Sequence, residues 1–78
     1  MSRREKLIEK MRRTPGSIRF AEVEALLRHQ RFVLFNTRGS HLTYHDTSGR
    51  VLTIVRPHGG RKTCDPDDIK TLLAVLGL

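Results

Sequence analysis

Several residue types that stabilise or anchor other small proteins are scarce in this 78-residue chain, which has one cysteine, no tryptophan and one tyrosine. A single cysteine, Cys64, cannot close an internal disulfide. We therefore expect an apolar core to hold the fold, and a reducing compartment, the cytoplasm, as its location. No apolar run approaches the ~18 residues that suggest a membrane-spanning helix, so we expect no membrane partner.

Acidic residues are scarce as well, with 8 Asp and Glu against 15 Lys and Arg and a formal net charge of +7. Residues 1–13 carry six bases against two acids, residues 14–64 eight against three, and residues 65–78 one against three. The positive charge therefore belongs to the first 64 residues. Such a field favours nucleic acid, an anionic surface or an acidic protein as partner.

The spacing of apolar residues predicts one α+β domain with the element order ααβββα. Pro15 and Gly16 separate the first two helices, and Ser17 is the expected N-cap of the second. Asp65 is expected to cap the last helix and Gly77 to end it. A small three-stranded antiparallel sheet packed by helices should result. The expected elements are helices over 1–13, 17–30 and 66–76, and strands over 32–35, 41–45 and 51–55.

The first predicted helix is strongly basic and has only a narrow apolar stripe of Leu7, Ile8 and Met11. We interpret it as a solvated helix or a frayed terminus. The alternative is an arm that contacts phosphates. Either way, it forms an extension and linker over residues 1–16, ahead of a domain over 17–78.

The second predicted strand carries a histidine just after a glycine turn. His41, Thr43 and His45 alternate with Leu42 and Tyr44, so the two sets face opposite sides of the sheet. If helices cover the apolar side, His41 lies on the open side. Histidine is the side chain best suited to exchange protons near neutral pH, although His41 is equally consistent with an ordinary exposed strand residue.

Two other kinds of site do not fit this pattern. His41 and His45 lie about 13 Å apart along a strand at roughly 3.3 Å per residue, too far apart to bind one zinc ion. Ser40 precedes His41 directly, so strand alternation turns their side chains apart and disfavours a nucleophile–base pair. We expect no metal and no cofactor.

Acid–base chemistry on a phosphodiester remains. Cleaving RNA without a metal requires a group that takes the 2′-hydroxyl proton, a group that protonates the leaving oxygen, and positive charge at the phosphate. A histidine suits either proton role, and His41 and His58 are the candidates. Arg38, Arg61 and Lys62, which we expect in the flanking loops, suit the phosphate.

The chain also resembles a known family. Residues 38–44 read Arg-Gly-Ser-His-Leu-Thr-Tyr and resemble the Gly-Ser-His-x-x-aromatic motif of HicA-type toxins. The resemblance continues through a hairpin, the Arg-Pro-His-Gly-Gly of residues 56–60, and a last helix ending in Leu-Gly-Leu. It covers roughly residues 17–78.

This resemblance implies a fold like that of the double-stranded-RNA-binding domain and an mRNA endonuclease, the toxin of a type II toxin–antitoxin pair. It makes His41 the catalytic residue, with His58 and Ser40 as auxiliary candidates, and adds Arg56 to the RNA-binding set. The implied partner is a HicB-type antitoxin. Because this chain is so basic, we expect that partner to be acidic and to cover His41.

Two positions depart from the family pattern. Arg31 stands where members often have a glycine, which would end the helix in a left-handed conformation, so we expect this turn to be either strained or differently shaped. The order of proline and histidine near Pro57 also varies in the family, so the role of His58 transfers less directly than that of His41. A non-catalytic double-stranded-RNA-binding module and an adaptor for an acidic protein are the alternative functions.

Overall fold

Helices cover one face of a three-stranded sheet and leave the other face open. The computed structural model describes residues 2–78. Its helices are α1 (Arg3–Arg13), α2 (Phe20–His29) and α3 (Pro66–Leu76), with a 3-10 turn at Pro15–Ser17, and its strands are β1 (Val33–Arg38), β2 (His41–His45) and β3 (Val51–Val55). The strands pair antiparallel in the order β1-β2-β3. The predicted element order and the α+β, double-stranded-RNA-binding-domain-like class are confirmed.

The core lies between the sheet and the helices. Leu42 and Tyr44 of β2 and Leu52 and Ile54 of β3 are each at most 6% exposed. The residues between them face the open side, as the alternation predicted. The helices and their flanking segments supply the rest of the buried apolar set, which includes Met11, Ile18, Val23, Leu26, Leu27, Phe32, Cys64, Ile69, Leu72 and Leu73.

α1 packs onto this core instead of extending into solvent. Met11 is fully buried, and Leu7 and Ile8 are partly buried against the same cluster. Lys10 Nζ also lies 2.9 Å from a carboxylate oxygen of Glu22 on α2. The expectation of a solvated or frayed helix is therefore wrong. Although the apolar stripe is narrow, its three residues pack against the core and bury the whole Met11 side chain. The division of the chain at residue 16 stays a prediction.

α2 begins later than the sequence suggested. Ser17 lies in the 3-10 turn, and the helix starts at Phe20 with Arg19 at the N-cap. The backbone N–H of Cys64 donates to the Ile18 carbonyl at 2.8 Å, which holds Ile18 extended and buried. The Glu22 carboxylate then accepts the Arg19 N–H at 2.9 Å. With this tertiary contact in place, the N-cap is Arg19, two residues after the expected Ser17.

α2 ends in a Schellman motif that has arginine at the position where glycine is preferred. Arg31 has φ of 63°, the left-handed conformation anticipated from the sequence. The Phe32 N–H donates to the Leu27 carbonyl at 2.9 Å and the Arg31 N–H to the Arg28 carbonyl at 3.1 Å. Phe32, predicted to open the first strand, is instead buried against the core, and β1 starts one residue later.

The longest helices have 11 residues each, and within residues 2–78 none combines the length and apolarity needed to span a membrane.

Candidate functional site on the open sheet face

A two-residue turn fixes the position of His41. Gly39 and Ser40 join β1 to β2, and Gly39 has φ of 59°, which glycine adopts without steric cost at the first central position of a type II′ turn. The Ser40 carbonyl accepts the backbone N–H of Arg56 at 2.7 Å. This bond ties the turn to the segment after β3. His41 is thus the first residue of a strand that is held on both sides.

Arg38 and His41 close this hairpin as a directly opposed pair. Both side chains are exposed. Opposed residues on antiparallel strands have Cβ atoms about 5 Å apart, so the guanidinium and the imidazole can reach one phosphate together. The sequence had placed Arg38 in a loop, but it is the last residue of β1.

β1 has an irregularity three residues before Arg38. The register shifts between Leu34 and Asn36, where Phe35 is the extra residue of a β-bulge. In the register that follows, Asn36 pairs with Thr43 and Arg38 with His41. Because the turn fixes the pair of Arg38 and His41, the extra residue changes the facing of the residues before it and brings Val33 onto the same face as Arg38.

The aromatic residue of the Gly-Ser-His-x-x-aromatic motif has a structural role. Tyr44 is three residues after His41, an odd separation that puts the two side chains on opposite faces of β2. Tyr44 is 6% exposed, and burial, with Glu24 nearby, raises the pKa of its hydroxyl. The motif therefore combines a core anchor with an exposed histidine.

The remaining predicted residues lie around the end of β3. Val55 pairs with His41 in the sheet and also lines a cleft of about 130 Å³. This cleft brings His58 and Arg61 together. Lys62 follows Arg61 in the sequence and is exposed. The structure thus brings Arg38 directly to His41, and it gathers His58 and Arg61 in an adjoining cleft that Lys62 does not line.

Carboxylates moderate the charge of that cleft. Asp65 and Asp68 are among its lining residues. Asp65 caps α3 by accepting the Asp67 N–H at 2.8 Å, and Asp68 accepts the Val55 N–H at 3.1 Å. Both carboxylates accept backbone N–H groups, and the bond from Val55 to Asp68 joins α3 to β3. The residues of the three strands include no Asp or Glu, so the open face is more attractive to a phosphate than the cleft is.

Arg56 has a further contact that the sequence did not indicate. Its guanidinium carbon lies 5.0 Å from the centre of the Phe20 ring, a cation–π arrangement. Its side chain nevertheless remains exposed, so it can still approach a phosphate.

Phe35 and His45 form a pair of rings that sequence reasoning missed. Their centroids are 4.6 Å apart with an interplanar angle of 47°. Phe35 is 67% exposed. In the sequence Phe35 belongs to a continuous apolar run, and nothing in that run shows that the residue faces solvent.

Within residues 2–78, no group of three or more His, Cys, Asp or Glu side chains is placed to hold a metal ion. Cys64 is 1% exposed, and burial, with Asp68 and Glu22 nearby, raises the pKa of its thiol to about 11. It is therefore an inert part of the core at neutral pH.

Comparison with known proteins gives one family match. A family model described as the HicA toxin of bacterial toxin–antitoxin systems matches residues 20–78, which is 59 of the 78 residues. No curated protein and no solved structure matches the chain. The match includes all three strands, the turn that carries His41 and the cleft with His58. The chain belongs to the HicA family, the toxins of bacterial toxin–antitoxin systems.

Proposed function

We propose that this chain is an mRNA endonuclease that works without a metal ion, acting as the toxin of a type II toxin–antitoxin pair with His41 as its catalytic acid–base group. Membership of the toxin family implies a cognate antitoxin, and we propose that it is of the HicB type. The observation that carries the proposal is the position of His41, exposed at the start of β2 and directly opposite Arg38.

The chemistry follows from these two side chains. His41 takes the proton from a ribose 2′-hydroxyl, and the resulting oxygen attacks the adjacent phosphorus. The bond to the 5′-oxygen breaks, and that oxygen receives a proton. The products are a 2′,3′-cyclic phosphate and a 5′-hydroxyl. Arg38 binds the non-bridging oxygens, where negative charge grows in the transition state.

The second proton comes from the segment after β3 in this proposal. His58 lies in the cleft that starts at Val55, the partner of His41 in the sheet. Arg61 lines the same cleft and supports the phosphate from that side. Ser40 contributes through its carbonyl, which holds the turn to Arg56, and has no role as a nucleophile.

A non-catalytic RNA-binding module is the second candidate. The open face of the sheet favours this second function, because an exposed basic surface binds RNA through phosphate contacts without needing an enclosed site. Binding without turnover is the outcome that would select it.

The decisive experiment incubates the purified chain with end-labelled RNA in excess EDTA and identifies the product ends. We expect cleavage to persist in chelator and to leave 2′,3′-cyclic phosphate or 3′-phosphate ends. Activity that disappears in EDTA and returns with a divalent ion would contradict this mechanism.

The same assay with His41→Ala separates the protein from a contaminating nuclease. We expect a loss of about 10²–10⁴-fold in rate, the usual contribution of a general acid or base. The fold should survive because His41 is exposed. His29→Ala is the matched control, since His29 is exposed at the end of α2, on the helical layer, and should cleave like the wild type.

A further inference from the structure

The ring pair of Phe35 and His45 presents an aromatic surface to solvent on the same face as His41. The two rings contact each other at 4.6 Å between centroids. Phe35 keeps 67% of its surface exposed, more than any other large apolar side chain among residues 2–78. Aromatic side chains usually bury most of their surface, so a ring held in this way on a strand suggests a ligand.

The β-bulge presents this ring. Phe35 is the extra residue opposite Thr43, and the bulge leaves both Phe35 and Asn36 on the open side. Bulges concentrate at sheet edges and beside sites, where they redirect side chains. β1 is an edge strand of this sheet. The bulge thus presents Phe35 at one end of the face, and the two-residue turn sets Arg38 opposite His41 at the other.

The two ends of β2 lie within one short stretch of nucleic acid. His45 is four residues from His41 on the same face, about 13 Å away at roughly 3.3 Å per residue. Between them the hydroxyls of Thr43 and Thr53 lie 3.1 Å apart. A strand of RNA with its phosphate at His41 would therefore cross hydroxyl groups before it reaches the rings.

The charge of the open face and its exposed aromatic rings together indicate which ligand binds there. The three strands carry Arg38 and no carboxylate, so this face attracts an anion. An exposed aromatic ring attracts a flat π-surface, and every nucleobase has one. A single-stranded RNA supplies both features, with its charge and its bases alternating along the chain.

From these observations we infer that the Phe35–His45 ring pair is a stacking platform for an unpaired base of the RNA, a short distance along the strand from the phosphate at His41. The inference rests on the proposed RNA cleavage and extends it. The platform positions the substrate and favours unpaired over base-paired RNA, because a base held in a duplex cannot reach the ring.

The test measures binding separately from cleavage. The probe is a 2′-O-methyl oligonucleotide with one 2-aminopurine, which lacks a free 2′-hydroxyl and loses fluorescence when its base stacks. Phe35→Leu keeps an apolar side chain but removes the π-face, and Phe35→Tyr restores it. Val51→Ala is the control, since Val51 is 60% exposed, pairs with His45 and has no ring.

We expect Phe35→Leu to bind about tenfold more weakly and to lose the quenching, as found when a stacking side chain is removed. Phe35→Tyr and Val51→Ala should match the wild type, and circular dichroism should be unchanged in all variants. Equal affinity of Phe35→Leu and wild type would overturn the inference. So would an equal loss in Val51→Ala, which would indicate a general apolar contact.

Two further outcomes separate this inference from the proposed function. A wild type that quenches the probe but never cleaves RNA would end the proposal of a nuclease and leave the platform standing. The other outcome is that Phe35→Leu weakens binding of the antitoxin while the oligonucleotide binds as before. The rings would then be a protein-docking surface, and the platform would be wrong.

Discussion

Arg38 and His41 are the closing pair of a hairpin with a two-residue turn, and both side chains lie exposed on the open face of the sheet. The extra residue at Phe35 also lets Val33 share this face with Arg38, although the two are five positions apart. The turn therefore does more than reverse the chain. It places Arg38 and His41 on neighbouring strands, where opposed residues have Cβ atoms about 5 Å apart.

This pairing predicts a catalytic effect for Arg38. Arg38→Ala should lower kcat for RNA cleavage by about 10²-fold, the scale of losing one group that stabilises transition-state charge. Arg38→Lys should recover only part of the rate, since an ammonium cannot bind two oxygens of one phosphate. The measurement is single-turnover cleavage at saturating enzyme, with Arg28→Ala, on the helical layer, as the control. An unchanged kcat in Arg38→Ala would remove Arg38 from the site.

The sequence predicts the open face from β2 and β3 but not from β1. Leu42, Tyr44 and Leu52 alternate with polar or exposed residues, and this pattern alone identifies the side on which His41 lies. β1 has a continuous apolar run with no alternation to read. Its bulge at Phe35 depends on pairing with β2, so the roles of Phe35 and of Arg38 as a strand residue emerge only in the folded chain.

The ends of α2 show the same difference. The left-handed turn at Arg31 was predictable, because local hydrogen bonds within one helical end create it. The start of α2 was not, since the bond from Cys64 to Ile18 joins residues far apart in the sequence. A motif formed by neighbouring residues can be predicted from the local sequence, whereas a hydrogen bond between distant residues cannot.

The strain at Arg31 is open to a stability test. Arg31→Gly should raise the free energy of unfolding by up to about 1 kcal/mol, because glycine relieves the left-handed penalty but costs entropy in the unfolded chain. The melting midpoint should rise by roughly 4 °C for that change in a domain of this size. Arg31→Ala keeps a Cβ and should gain nothing. A clear fall in the midpoint of Arg31→Gly would mean that the arginine side chain makes contacts worth more than the strain.

The hairpin between β2 and β3 should give acid sensitivity. Burial alone would raise the pKa of Asp46, but hydrogen bonds from Arg50 and Ser48 lower it from 3.8 to about 2. A carboxyl group with a lowered folded pKa stabilises the fold above its unfolded value, and this contribution disappears as the pH falls through the folded value. Its effect is therefore complete at neutral pH and decays between about pH 5 and pH 2.

Asp46→Asn should accordingly lower the melting midpoint at pH 7, and the difference from wild type should shrink steadily as the pH falls toward 2. Asp67→Asn, on the exposed first turn of α3, is the matched control and should shift the midpoint less at pH 7. Thermal melts at several pH values provide the measurement. A difference that stays constant across this range would show that the Asp46 charge does not contribute to the stability of the hairpin.

The last prediction concerns the antitoxin, which we expect to be acidic and to cover His41. A chain with a net charge of +7 should bind such a partner by electrostatically steered association. Added salt should therefore slow association more than it speeds dissociation, because screening acts mainly on the long-range attraction. An antitoxin that occupies the open face would inhibit cleavage directly, since the side chains of Arg38 and His41 both lie on that face.

Labelling with diethyl pyrocarbonate tests where the antitoxin binds. The chain is co-expressed with the protein encoded beside it, and the reactivity of each histidine is compared between the complex and the free chain. We expect His41 to be protected in the complex, whereas His29, exposed at the end of α2, should stay reactive and serve as the internal control. If the complex forms and His41 reacts as fast as in the free chain, inhibition acts from another surface. Protection of His29 in place of His41 would assign that surface to the helical layer.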